Sequence, residues 1–116
     1  MVKKNDFSQL TQALADKSLT KEELLNRVRQ DSTLLPFLLS GVYSSKATFR
    51  YGCAKVLMDL SEENPEKLYL YFDQFISLLD SKYRILIWNA LAIIANLTRV
   101  DTEKKFDAIF GKYYSF

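Results

Sequence analysis

Apolar residues along this chain recur three and four positions apart rather than in alternation, which is the spacing of one buried face of a helix. After Asn5 as a cap, Phe7, Leu10, Ala13 and Leu14 predict a first helix that closes near residues 17–18. Thr20 and Glu23 have the spacing of a capping box and open a second helix carrying Leu24, Leu25 and Val28. Asp31 or Ser32 caps a third, with Leu34, Leu35, Leu38, Leu39 and Val42 inward, and Pro36 is tolerated there only in the opening turn. Past a turn at residues 41–45, Phe49, Cys53, Val56, Leu57 and Leu60 make one face of a fourth helix over residues 47–61. Asn64 as cap and Pro65 at the first helical position start a fifth, whose Leu68, Phe72, Phe75, Ile76 and Leu79 point inward. The sixth, over residues 82–99, places Leu86, Ala90, Ile93, Ile94 and Leu97 on one side with Ile87 and Leu91 beside them. A helix apolar over so much of its circumference is expected to be covered on more than one side. Asp101 caps a seventh, which carries Phe106, Ile109, Phe110 and Tyr113.

The pattern also repeats. Shifted by thirty-seven residues, Arg50 to Ser61 falls on Ile87 to Thr98, and Asp59-Leu60-Ser61 recurs as Asn96-Leu97-Thr98. The register continues through the next helix start, where Asn64 meets Asp101, and then Tyr69 and Phe72 meet Phe106 and Ile109. Repeats of about 20 to 50 residues mark solenoids, in which each unit buries its apolar face on its neighbours.

Composition narrows the chemistry more than it names it. The chain has 116 residues, 48% apolar and 26% charged, with three Gly and two Pro, as suits one well-packed helical domain. Sixteen basic residues against fourteen acidic ones leave a net charge of +2, too little to argue for a phosphate backbone or an anionic membrane as the main partner. His is absent and Cys53 is the single cysteine, which removes the usual zinc ligands, the usual general base and any internal disulfide. No cofactor or metal site and no catalytic residue is therefore expected. Cys53 falls where the repeat wants a small apolar residue and reads as an inert core thiol. The opening residues hold neither a secretory signal nor a membrane anchor, so a cytoplasmic protein is the expectation.

The stretch Phe49-Arg50-Tyr51-Gly52-Cys53-Ala54-Lys55-Val56-Leu57-Met58-Asp59-Leu60 resembles the second helix of a HEAT repeat, V-R-x-x-A-x-x-x-L-x-x-L, with Phe49, Arg50, Cys53, Leu57 and Leu60 at its named positions. The sixth helix fits through Leu86, Ala90, Ile94 and Leu97, with Ile87 in place of Arg, and Leu78-Leu79-Asp80 before it is similar to the close of a HEAT first helix. The likeness covers residues 34–114. It implies an all-α, right-handed α-solenoid of about three HEAT-like antiparallel hairpins, with seven helices and the last one unpaired. The division it implies is capping helices over 1–31, a first repeat over 32–63, a second over 64–100 and a partial third over 101–116. The family's Arg commonly pairs with a turn acid of an adjacent repeat, which would put Arg50 near an acid such as Asp80.

In such arrays the second helices line the concave face. The resemblance then makes Tyr51, Lys55 and Asp59, with their repeat counterparts Trp88, Ala92 and Asn96, the expected partner-binding ridge of a non-catalytic protein-interaction or scaffold module. Trp88 is either a partner anchor or a wedge between repeats. Arg50, Lys46, Lys82 and Arg84 around the turns are either solvated charges or contacts for acidic partners or phosphates. The alternative function is nucleic-acid binding, by analogy with HEAT-like folds that repair alkylated DNA, though the groove would be short of basic residues. An enzyme of the HEAT-like chromophore-lyase type finds no supporting residue. Phe106, Ile109, Phe110 and Tyr113 form a face that wants cover, from a second copy in a homodimer, from a partner's helix, or from further chain in a longer solenoid.

Overall fold

The structure, a computed structural model, describes Gln12, Ala13 and residues 19–116. The first helix expected over residues 7–18 lies outside the described residues except at Gln12 and Ala13, which are helical. Every regular element among the described residues is helical, and none of them is a strand. None of the described helices is long and apolar enough to cross a membrane. The chain divides into two units, Met1–Asp59 and Leu60–Phe116.

In the first unit, α1 (Lys21–Gln30) opens on the expected capping box: Thr20 Oγ1 accepts from the Glu23 amide at 3.1 Å, and Glu23 Oε1 accepts from the Thr20 amide at 3.4 Å. Leu24, Leu25 and Val28 are its buried side. Asp31 then caps a 3-10 turn, Ser32–Leu34, by accepting from the Thr33 hydroxyl and amide, and these bonds hold its carboxyl below the ordinary value. This turn runs into α2 (Leu35–Gly41), with Pro36 in the opening turn where its missing N–H costs nothing. α2 closes at Gly41 because α3 (Ala47–Glu63) passes there: a Cβ at Gly41 would lie 2.4 Å from Cys53 Sγ and 3.1 Å from Phe49 Cζ. The Phe37 and Phe49 rings meet at 5.5 Å beside it.

The second unit starts within the end of α3. Asn64 occupies the N-cap of α4 (Pro65–Leu68), yet its side chain makes no capping bond, and its buried Oδ1 has no hydrogen-bond partner. Pro65 and the Asn64 carbonyl, which accepts from the Lys67 amide at 3.2 Å, make the helix start instead. The helix expected to run unbroken from there is segmented into α4, a 3-10 turn at Tyr69–Tyr71, α5 (Phe72–Ser77) and a second 3-10 turn at Leu78–Asp80. The tight winding falls at Tyr69, whose hydroxyl is committed to Asp101. Leu68, Phe72, Phe75 and Leu79 are buried as the periodicity requires, and Ile76 is half-buried.

α6 (Arg84–Leu97) buries Leu86, Ala90, Ile93, Ile94 and Leu97, the set read from the sequence. Its opposite side is open, since Ile85 and Trp88 are exposed, while Ile87 and Leu91 beside the buried set are half-covered. The last helix also differs from expectation. Residues 102–104 form a turn with Lys104 left-handed at φ 54°, followed by a 3-10 turn at Lys105–Ile109 and only then α7 (Phe110–Tyr113). The delay has a physical cause: the Asp101 carboxylate accepts from the amides of Lys105 and Phe106, and the Glu103 amide is taken by the Tyr69 hydroxyl.

Candidate functional site

On an α-helix each residue turns about 100°, so positions 84, 85, 88, 92 and 95 share the side of α6 that faces away from Leu86, Ala90, Ile93 and Leu97. Trp88 stands near the middle of that outer side and is 64% exposed. Arg84, Ile85 and Ala95 are exposed with it, and Ala92 is half-covered. Small Ala92 and Ala95 after a large Trp88 leave a step on the helix surface, one turn beyond the indole.

Asn96, the last member of the expected ridge on α6, is bound instead to its own unit: its Nδ2 donates to Ser61 Oγ at 3.0 Å. The adjoining residue Arg99 continues this tie, its Nη2 donating to the carbonyls of Ser61 at 3.1 Å and Glu62 at 2.6 Å. A guanidinium there satisfies end carbonyls of α3 and complements the negative end of its dipole. Sequence reasoning missed this role of Arg99.

Tyr51, Lys55 and Asp59 lie along α3 as the spacing required. Lys55 Nζ pairs with Asp59 Oδ1 at 2.9 Å, an i,i+4 ion pair with Lys55 exposed, and Tyr51 is half-buried. Arg50 is only 5% exposed; its guanidinium lies 4.7 Å from the centroid of the Tyr51 ring, and Nη1 donates to the Ser44 carbonyl at 2.9 Å. Arg50 thus tethers the turn between α2 and α3. Asp80, the acid suggested for it, accepts from Lys112 Nζ at 2.8 Å.

Four pairs of core-side residues thirty-seven positions apart are alike in burial, whereas buried Ser61 falls on exposed Thr98. Cys53 and Ala90 are both 0% exposed, and the pairs Val56 and Ile93, Leu57 and Ile94, and Leu60 and Leu97 are buried alike. Burial also pushes the Cys53 thiol up to about 12, so the thiolate a nucleophile requires is suppressed.

Among the C-terminal residues, Phe106 is the hub of an aromatic cluster, with Tyr113 at 5.1 Å and Phe110 at 5.9 Å, while the Tyr114 ring lies tilted against Phe110 at 4.8 Å. Tyr113 Oη donates to the Leu91 carbonyl of α6 at 2.9 Å. Phe106, Ile109 and Tyr113 are thereby half-buried, whereas Phe110 is exposed together with Tyr114 and Phe116, two residues the sequence pattern did not single out. Among the described residues, no three His, Cys, Asp or Glu are grouped as a metal site. Comparison of the chain with protein-family models, with curated proteins and with solved structures finds no match.

Proposed function

We propose that this chain is a HEAT-like helical-repeat module whose role is to bind another protein, without catalysis of its own. The observation that carries the reading is the exposure of Trp88 at the centre of the outer side of α6. An aromatic of that size left in water forgoes burial of about 1.5–3 kcal/mol, and Trp is enriched among the anchors of protein interfaces. The agreement in burial between repeat-related residues of α3 and α6 supports the repeat reading itself. Within it, Tyr51 and Lys55 on α3 are the docking candidates of the first unit, taken by themselves, and Asp59 pairs with Lys55. Asn96 serves the fold of its own unit more than a partner, since its amide is bound to Ser61. The exposed Phe110, Tyr114 and Phe116 form a second contact surface, for a second copy, a partner's helix or further chain.

The double variant Tyr51→Ala, Trp88→Ala tests the main claim. It is expected to keep the helical circular dichroism of the parent and to lose the proteins that the parent captures from a cell extract of its source. Capture of the same proteins by the folded variant would defeat the site assignment.

A further inference from the structure

The outer side of α6 has a charge as well as an apolar surface. From Ser81 to Val100 the chain carries Lys82, Arg84 and Arg99 and no acidic residue, although the whole chain is nearly balanced at 16 basic and 14 acidic. The acids that bracket this stretch are engaged elsewhere. Asp80 pairs with Lys112, and the Asp101 carboxylate accepts from Tyr69 and from the amides of Lys105 and Phe106. Arg99 is committed to the carbonyls of Asn96, Ser61 and Glu62. Lys82, just before α6 and held over the Tyr83 ring at 5.2 Å, and Arg84, exposed at its first position, are therefore the cations at the start of the helix that carries Ile85 and Trp88.

Local structure gives no reason for this arrangement. The first turn of a helix favours acids, and α6 has none there, so Arg84 opposes the dipole it sits on. Arg84 and Trp88 are one turn apart and hence neighbours on the surface, which sets a cation against an aromatic anchor. Beyond them, Ala92 and Ala95 allow a second backbone to approach closely, as one helix packs its ridge into the groove of another.

We propose that the outer side of α6 docks an acidic amphipathic helix of a partner protein. Its apolar residues seat on Ile85, Trp88 and Ala92, and its carboxylates meet Lys82 and Arg84. The proposal rests on the protein-binding reading of Trp88 and adds the chemistry of what binds there. Interfaces of this kind are steered by the charges and anchored by the aromatic.

Trp88 is the chain's one tryptophan, so its emission reports occupancy of this face directly. The probe is a synthetic amphipathic helix of about 18 residues, long enough at about 1.5 Å per residue to cover α6, with Leu on one side and Glu on the other. A second peptide keeps the Leu side and replaces Glu by Lys. The Glu peptide is expected to shift the emission to the blue saturably, to bind at least tenfold more tightly than the Lys peptide at low salt, and to weaken as salt is added. The variant Lys82→Glu, Arg84→Glu, which changes only exposed residues, is expected to reverse the order of the two peptides. Equal affinity for both peptides would overturn the acidic partner while leaving an apolar docking face. No shift with either peptide overturns the proposal, and the fate of the wider reading then follows from the capture experiment with the Trp88 variant. A blue shift that grows with protein concentration in the absence of peptide means a second copy covers the face and overturns it. So does a shift caused by a short DNA duplex and not by the Glu peptide.

Discussion

The Tyr69 hydroxyl donates to Asp101 Oδ1 at 2.5 Å, across 32 residues of sequence, and accepts from the Glu103 amide at 3.1 Å. These two bonds fix the turn that precedes the last helix. Tyr69→Phe removes both while the ring keeps its contacts with Phe72 and Lys105. The expected result is a lower urea midpoint at unchanged slope, because a hydrogen bond to a charged group is lost.

The same pair sets a pH window. Burial works against the charge of Asp101, but the bonds from Tyr69, Phe106 and Lys105 together with the Lys105 charge outweigh it and lower the carboxyl's pKa. Burial, and then the bond to Asp101, raise that of Tyr69. A lowered acid stabilises above its unfolded pKa and loses that contribution as pH falls through the folded value; a raised one stabilises below its unfolded pKa and loses it as pH rises. The stability difference between the parent and Tyr69→Phe should therefore be flat between about pH 4 and about pH 10, the ordinary values for Asp and Tyr, and shrink outside that window. A difference that stays constant down to the acid limit of the native state, and up to its alkaline limit, would contradict the assignment.

Gly41→Ala is expected to destabilise by about 1–3 kcal/mol, the range for overpacking a core, because its Cβ would overlap Cys53 Sγ. Adding Cys53→Ala should recover part of this loss, since Cys53 Cβ at 3.2 Å and Phe49 Cζ at 3.1 Å still crowd the new methyl. Chemical denaturation of the four members of the cycle gives a coupling of restoring sign if the two positions compete for the same space.

Two helix starts that look alike in sequence should respond differently. Thr20→Ala removes a working capping box and is expected to cost about 1 kcal/mol. Asn64→Ala removes a side chain that caps nothing and holds an unsatisfied buried oxygen, so it should cost less than about 0.5 kcal/mol or stabilise slightly. Thermal melts of the two variants decide this, and equal losses would refute the distinction.

What was legible in the sequence was periodicity. The buried side of α6 came out residue by residue because five large or small apolar positions recur with one phase. Trp88 did not, since an apolar surround tells which sides are able to be buried and not which one is left open. The capping box at Thr20 is a local motif and was read correctly; the idle Asn64 carries the same local signal with a different outcome. The break at residues 69–71 and the late start of α7 depend on Tyr69 meeting Asp101, a tertiary contact that no window of neighbouring residues contains. The role of Arg99 was hidden for the same reason, its carbonyl partners lying 37 and 38 residues earlier.

The inaccessibility of Cys53, the chain's sole sulfhydryl, makes the native protein silent toward maleimides. A cysteine installed at exposed Ala95 therefore becomes a unique handle for a spin label or a dye, with no need to delete the natural one. Such a tag sits two turns from the indole, close enough for quenching to time the arrival and departure of whatever settles on that helix.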